Sequence, residues 1–288
     1  MDRKGSLTIE IAIVLVLILL ICGAILISIE NTTNKIVDAQ EKENMKTLAS
    51  ETADNLINNP GVPKNWFEYG KGTPGLAIIN EEGQTVPNSV SYPKFIALGK
   101  NYKKLIDEKL FSSKIKSSME LIPKKSSISS VKIGSNDESG NVFAVNRLVK
   151  CDFYKRHVMK DFQDEGKCNR NHGQDSHSCN YFKIFKGNFK SSNYYLLVDS
   201  SEINHLKYII DTTRAPNTGH WEKTMSKSIS LNDKIEFYGD ESAVVFIHFD
   251  KPNAKALLVS VPKNFERKKL DYDYFRTNEC QFIVKTWY

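Results

Sequence analysis

Several short motifs that would announce a chemistry are missing from this 288-residue sequence: it has no C-x-x-C pair, no H-E-x-x-H, no G-x-S-x-G and no P-loop. The shortest routes to a zinc knuckle, a zinc protease, an α/β-hydrolase or a phosphate-cradling NTPase are therefore closed. Charge of one sign is also scarce. Lys and Arg number 40 against 34 acids, and the tightest basic run, Arg267-Lys268-Lys269, is followed by Asp271 and Asp273. That pattern argues against a nucleic-acid face. Long apolar runs are rare too: there is one, at the N-terminal end.

The run spans 11–29 (IAIVLVLILLICGAILISI) and carries no charge. At a rise of about 1.5 Å per residue it just crosses a hydrocarbon core of roughly 30 Å. Arg3 and Lys4 precede it, against a single acid, Asp2. Basic residues stay inside, so the chain reads as a single-pass membrane protein with a cytoplasmic N-terminus and an extracellular head. No small-residue cleavage site follows the run, which leads directly into Glu30-Asn31-Thr32-Thr33, the only glycosylation sequon.

The residues before the run are more specific. Lys4-Gly5-Ser6-Leu7-Thr8-Ile9-Glu10 puts a glycine after a basic residue and a carboxylate five positions later, at the mouth of the apolar helix. A carboxylate there is costly unless paired. This arrangement resembles the type IV prepilin signal, and in particular the class III signals of archaeal pilin-like proteins, with Ser6 where Phe or Gln is usual. The resemblance implies that a prepilin peptidase cuts between Gly5 and Ser6, leaving 1–5 as a leader. It also implies that Glu10 pairs with the new α-amino group of Ser6, in its own or a neighbouring subunit. A plain signal anchor, with Glu10 among the lipid headgroups, is the alternative.

Beyond the span, Met45, Leu48, Ala49, Ala53, Leu56 and Ile57 fall on one helical face, and no Pro or Gly interrupts 24–59. Pro60-Gly61-Val62-Pro63 stops the pattern. A single helix over 6–59 is expected, apolar all round in its first half and amphipathic in its second. Gly61-Val62-Pro63-Lys64-Asn65-Trp66, Pro74-Gly75-Leu76-Ala77 and Tyr92-Pro93-Lys94-Phe95 then follow, in an order similar to that of archaeal pilin-like proteins; this resemblance covers about 1–125. Trp66 and Leu76 read as core plugs.

A second helix is expected over 93–111, with Phe95, Ile96, Leu98, Tyr102, Leu105, Ile106 and Leu110 inward. From 115 the pattern shifts to short strands: 116–122, 127–133, 142–153, 181–185, 194–198, 206–211, 229–237, 243–249, 256–261 and 281–287. The fold class is therefore α+β: a long transmembrane and amphipathic helix, then a β-rich, sandwich-like head over 60–288.

Of five cysteines, Cys22 lies in the span and Cys151, Cys168, Cys179 and Cys280 in the head. An even set outside the cell reads as two disulfides, with three possible connectivities. Cys168–Cys179 would staple the polar loop within 151–180, and Cys151–Cys280 would join two strand-like runs. The competing reading is a zinc site from Cys168, His172, His177 and Cys179; the wide cysteine spacing favours the staple. Asp199, Ser200, Ser201 and His205 are the nearest approach to a hydrolase set, but they sit at a strand end without a nucleophile elbow.

The sequence thus points to a structural, non-enzymatic pilin-like subunit. The head is large for a bulk filament subunit, which favours a minor one. Its expected partners are a prepilin peptidase, other pilin-like subunits and the lipid membrane, with no cofactor. A singly anchored, non-polymerising surface binding protein is the runner-up, and an exported enzyme the third reading.

Overall fold

The computed structural model describes residues 3–80, 82–111, 115–138, 140–166, 177–213 and 220–287; for 3–13 it describes the helical backbone alone. The side chains of Gly5, Ser6 and Glu10, and all of Cys168 and His172, lie outside the described residues.

Helix α1 runs unbroken from Arg3–Asn58, 56 residues, or roughly 84 Å. Gly23 is the only glycine between Gly5 and Gly61, and the helix continues through it. From Val14 to Ile29 every Leu, Ile and Val is more than half exposed. The second half is different. Met45, Ala49, Thr52, Ala53, Leu56 and Ile57 are buried at helical spacing. This stripe packs on three strands of the head, β2 (Thr85–Val90), β5 (Phe143–Cys151) and β14 (Asn278–Trp287). Ala49 and Ala53, both wholly buried, let the helix backbone approach the sheet closely.

Those strands belong to a six-stranded sheet. Its order is β1 (Ala77–Ile79), β2, β5, β14, β3 (Lys116–Pro123), β4 (Val131–Gly134). Pairing is antiparallel except for a short parallel contact of β2 with β5. The remaining strands form two four-stranded sheets. One runs β11 (Ser228–Ser230), β8 (Ser192–Val198), β13 (Ala256–Pro262), β6 (Val158–Asp161). The other runs β10 (Glu222–Lys223), β9 (Lys207–Thr212), β12 (Ser242–Phe249), β7 (Ser178–Phe185).

The β8–β13 sheet is buried on both faces. Leu196, Val198, Ala256 and Leu258 meet Phe182, Val245, Ile247 and Phe249 of the β12 sheet in one core. Leu197, Leu257, Val259 and Val261 join α1 and the six-stranded sheet in the other. This double burial explains why β13 reads as an almost continuous apolar run. The sandwich expectation therefore holds for two of three sheets, and the third serves as the seat of α1.

Two further differences from the sequence reading have local causes. The expected 93–111 helix divides into α3 (Tyr92–Lys100) and a π-helical turn, Lys103–Asp107. The wider turn shifts the phase of the face, so Leu110 becomes 38% exposed while Phe95, Leu98, Tyr102, Leu105 and Ile106 are buried as expected. The 229–237 stretch keeps only Ile229 and Ser230 in a strand, because Asn232 turns the chain by accepting from the Tyr194 amide at 2.8 Å.

Candidate functional site

The functional features lie along α1 and where it enters the head. Three groups fasten that entry. Arg147 on β5 grips the helix: Nε donates to Asp54 Oδ1 at 2.7 Å, and Nη2 to Asp54 Oδ2 at 3.0 Å and Ser50 Oγ at 2.8 Å. The Arg147 hydrogen bond, only partly countered by burial, holds the Asp54 carboxyl below its ordinary range.

Trp66, in the short helix α2 (Trp66–Tyr69), is fully buried and its Nε1 donates to Gly75 O at 3.0 Å. Leu76 is buried beside it. The turn at the helix end tolerates no side chain: a Cβ on Gly75 would stand 2.3 Å from Asn59 O, and Gly61 has φ +85° with the Trp66 ring against it.

Lys94 is the third fastening and is 5% exposed. Its Nζ donates to Pro60 O at 2.7 Å and Ala77 O at 2.9 Å, tying α3 to the end of α1 and to β1. Burial lowers its pKa to about 8, against an opposing pull from Asp152. The sequence flagged Trp66 and Leu76 as plugs, which they are; it noted Lys94 but not its role.

The remaining expected sites fare unequally. Cys151 and Cys280 are buried free thiols on neighbouring strands, and among the described residues no two cysteines stand at disulfide distance and neither expected disulfide is present. Cys151 pairs in register with Asn278 and Cys280 with Val149, so the two sulfurs lie diagonally on one face. Burial first, and the Cys280 thiol next, push the Cys151 pKa well up. Cys179 is buried on β7, and His177 is exposed. Among the described residues no group of three or more His, Cys, Asp or Glu side chains is arranged to hold a metal. Asp199 accepts from the Ser201 amide at 2.9 Å and its hydroxyl at 2.6 Å, and His205 is exposed, so this stretch is a capped turn.

One arrangement escaped sequence reasoning. His248 is fully buried, opposite Cys179 in register, with Nε2 3.8 Å from Asp211 Oδ2. A polar residue inside the apolar run 243–249 was the available signal.

No protein-family model matches the chain, and no curated protein or solved structure matches it.

Proposed function

We propose that the chain is a structural, pilin-like subunit, with a minor place in a type IV filament or related cell-surface assembly. The observation that carries this reading is a single helix with two unlike halves. The apolar half, from Val14, is covered by no other described residue, and the amphipathic half is clamped into a β-rich head. Such a helix supplies a lipid-soluble tail before assembly and a tail for packing with its like afterwards. The N-terminal Gly5-Ser6 junction is the processing site, and Glu10 pairs with the amine that cleavage creates. Mass spectrometry of protein from cells with active prepilin peptidase should show a mature chain beginning at Ser6. Retention of residues 1–5 in such cells overturns the pilin reading and leaves a plain anchor. Glu10→Ala should be cleaved and inserted normally yet enter filaments poorly; normal assembly would defeat the pairing.

The head is an extracytoplasmic domain in this reading, so an external thiol oxidant can take two electrons and two protons from Cys151 and Cys280 and join them. Closing so long a loop contributes about 4–5 kcal/mol in the chain-entropy model. Non-reducing peptide mapping should recover a Cys151–Cys280 peptide and, in the polar loop, Cys168–Cys179; a Cys151–Cys168 or Cys151–Cys179 peptide would disprove this pairing.

A non-polymerising, singly anchored binding protein is the second reading, and it is favoured by an open cleft on the head.

A further inference from the structure

The cleft lies where α2 meets the start of α3 and has a volume of about 530 Å³, within the range of small-ligand sites. Its floor is rigid. Tyr92 is buried with its amide donating to Asp152 Oδ1 at 2.9 Å. The Tyr92 and Tyr154 rings meet edge-on at 5.4 Å; Tyr92 lies tilted on Phe153 at 5.0 Å, and Tyr154 on Tyr274 and Phe275 at 6.0 and 5.8 Å. Its wall carries Phe67 and Tyr69, and the Tyr69 ring is 68% exposed.

Three cations line the cleft, Lys100, Arg156 and Lys269, against one acid, Glu68. Lys269 is engaged already, with Nζ 2.8 Å from Glu266 Oε1 and 5.9 Å above the Tyr154 ring. Among the described residues Lys100 and Arg156 form no ion pair. Arg156 donates to the neighbouring His157 ring at 3.4 Å and acts at longer range on the Asp152 carboxyl.

Aromatic faces open to water, beside two cations outside any ion pair and tyrosine hydroxyls, match a particular ligand chemistry. A pyranose ring presents C–H faces to such aromatics and hydroxyls to the polar rim, and a sugar carboxylate fits the planar guanidinium fork bidentately. A hydrophobic aromatic ligand would instead demand an enclosed pocket. We infer that this cleft binds an anionic saccharide of the uronic-acid class, with Arg156 and Lys100 holding the carboxylate and Tyr69 stacking on the sugar ring. The inference goes beyond the filament reading and stands on the cleft alone, so failure of either leaves the other intact.

The test uses the full-length chain in detergent micelles, titrated calorimetrically with tetragalacturonate, with neutral galactotetraose and with inorganic phosphate. Tetragalacturonate should bind saturably and more weakly as salt rises. Arg156→Ala and Lys100→Ala should each weaken it by about tenfold, which is about 1.4 kcal/mol. Tyr69→Ala should weaken it several-fold, and the exposure of that ring leaves the fold unaffected. Lys183→Ala, a distant surface cation, should change nothing. Failure of tetragalacturonate to bind, equal binding of galactotetraose, equal binding of phosphate, or full affinity in both cation variants would each overturn the proposal.

Discussion

The two halves of α1 have the same backbone and opposite environments. Around Leu19, which is 63% exposed, the side chains are bulky and apolar on every face. Around Ala53, which is fully buried, one face is small and apolar and the others carry Glu51, Asp54 and Asn55. Helix propensity does not distinguish these segments; the partner does. A helix apolar all round has no preferred face and requires an apolar medium, whereas a narrow buried stripe demands one specific surface. The pattern on the helix therefore encodes what covers it.

Substitutions on either side sharpen this contrast. Leu56→Ala should remove about 2–5 kcal/mol of head stability, because Leu56 fills the interface with the six-stranded sheet. Leu19→Ala should leave the head's melting temperature unchanged. Equal effects of the two in thermal denaturation would show that the halves are not energetically separate.

Leu19→Arg reverses the assay. It should cost about 3 kcal/mol of insertion at the centre of the span while the head melts as before. Membrane fractionation reads the first effect, and undiminished membrane association would mean that the span does not hold the protein there.

The junction between the halves and the head responds to pH. Lys94 binds its proton more weakly in the folded state, at about 8 against an ordinary 10.5, so stability rises as pH climbs between these values. The gain is on the order of 3 kcal/mol. A Lys94→Met chain should lack that rise relative to the parent when both are melted at pH 7.5 and 10; the same rise in both would assign it to other groups.

The smallest effect belongs to the Arg147–Asp54 clasp, whose side chains are 32% and 48% exposed. Arg147→Ala should cost at most about 1 kcal/mol at neutral pH, since solvent screens the pair. Asp54 has a lowered pKa, so its contribution is full above its ordinary value of 3.8 and fades as acid protonates it. Urea titrations at pH 7 and pH 3 should therefore differ more for the parent than for the variant.

Much of this molecule could be read from its sequence where the controlling interactions are local. The long apolar helix, the buried stripe and the stop at Pro60 follow from composition, periodicity and the geometry of proline. Most long strands fell where Val, Ile and Phe cluster. What escaped depends on distant partners. β2 contains Pro87, which argues against a central strand, yet the strand pairs at Thr85, Val86 and Val90 and leaves Pro87 outside the ladder. β10 and β11 are two and three residues long and exist only because β9 and β8 are beside them. The cleft draws on Tyr69, Lys100, Arg156 and Lys269, which are up to 200 residues apart in number and share no spacing that a linear reading could detect. His248 and Asp211 meet for the same reason.

The position of β14 sets a clock on folding. It pairs with β5 on one side and β3 on the other, along nearly its whole length, yet a ribosome delivers it after every other described strand. Until then the six-stranded sheet is two unjoined pieces, and the amphipathic half of α1 has β2 and β5 beneath it but not β14. Strand β14 thus closes the sheet and completes the seat of the helix together.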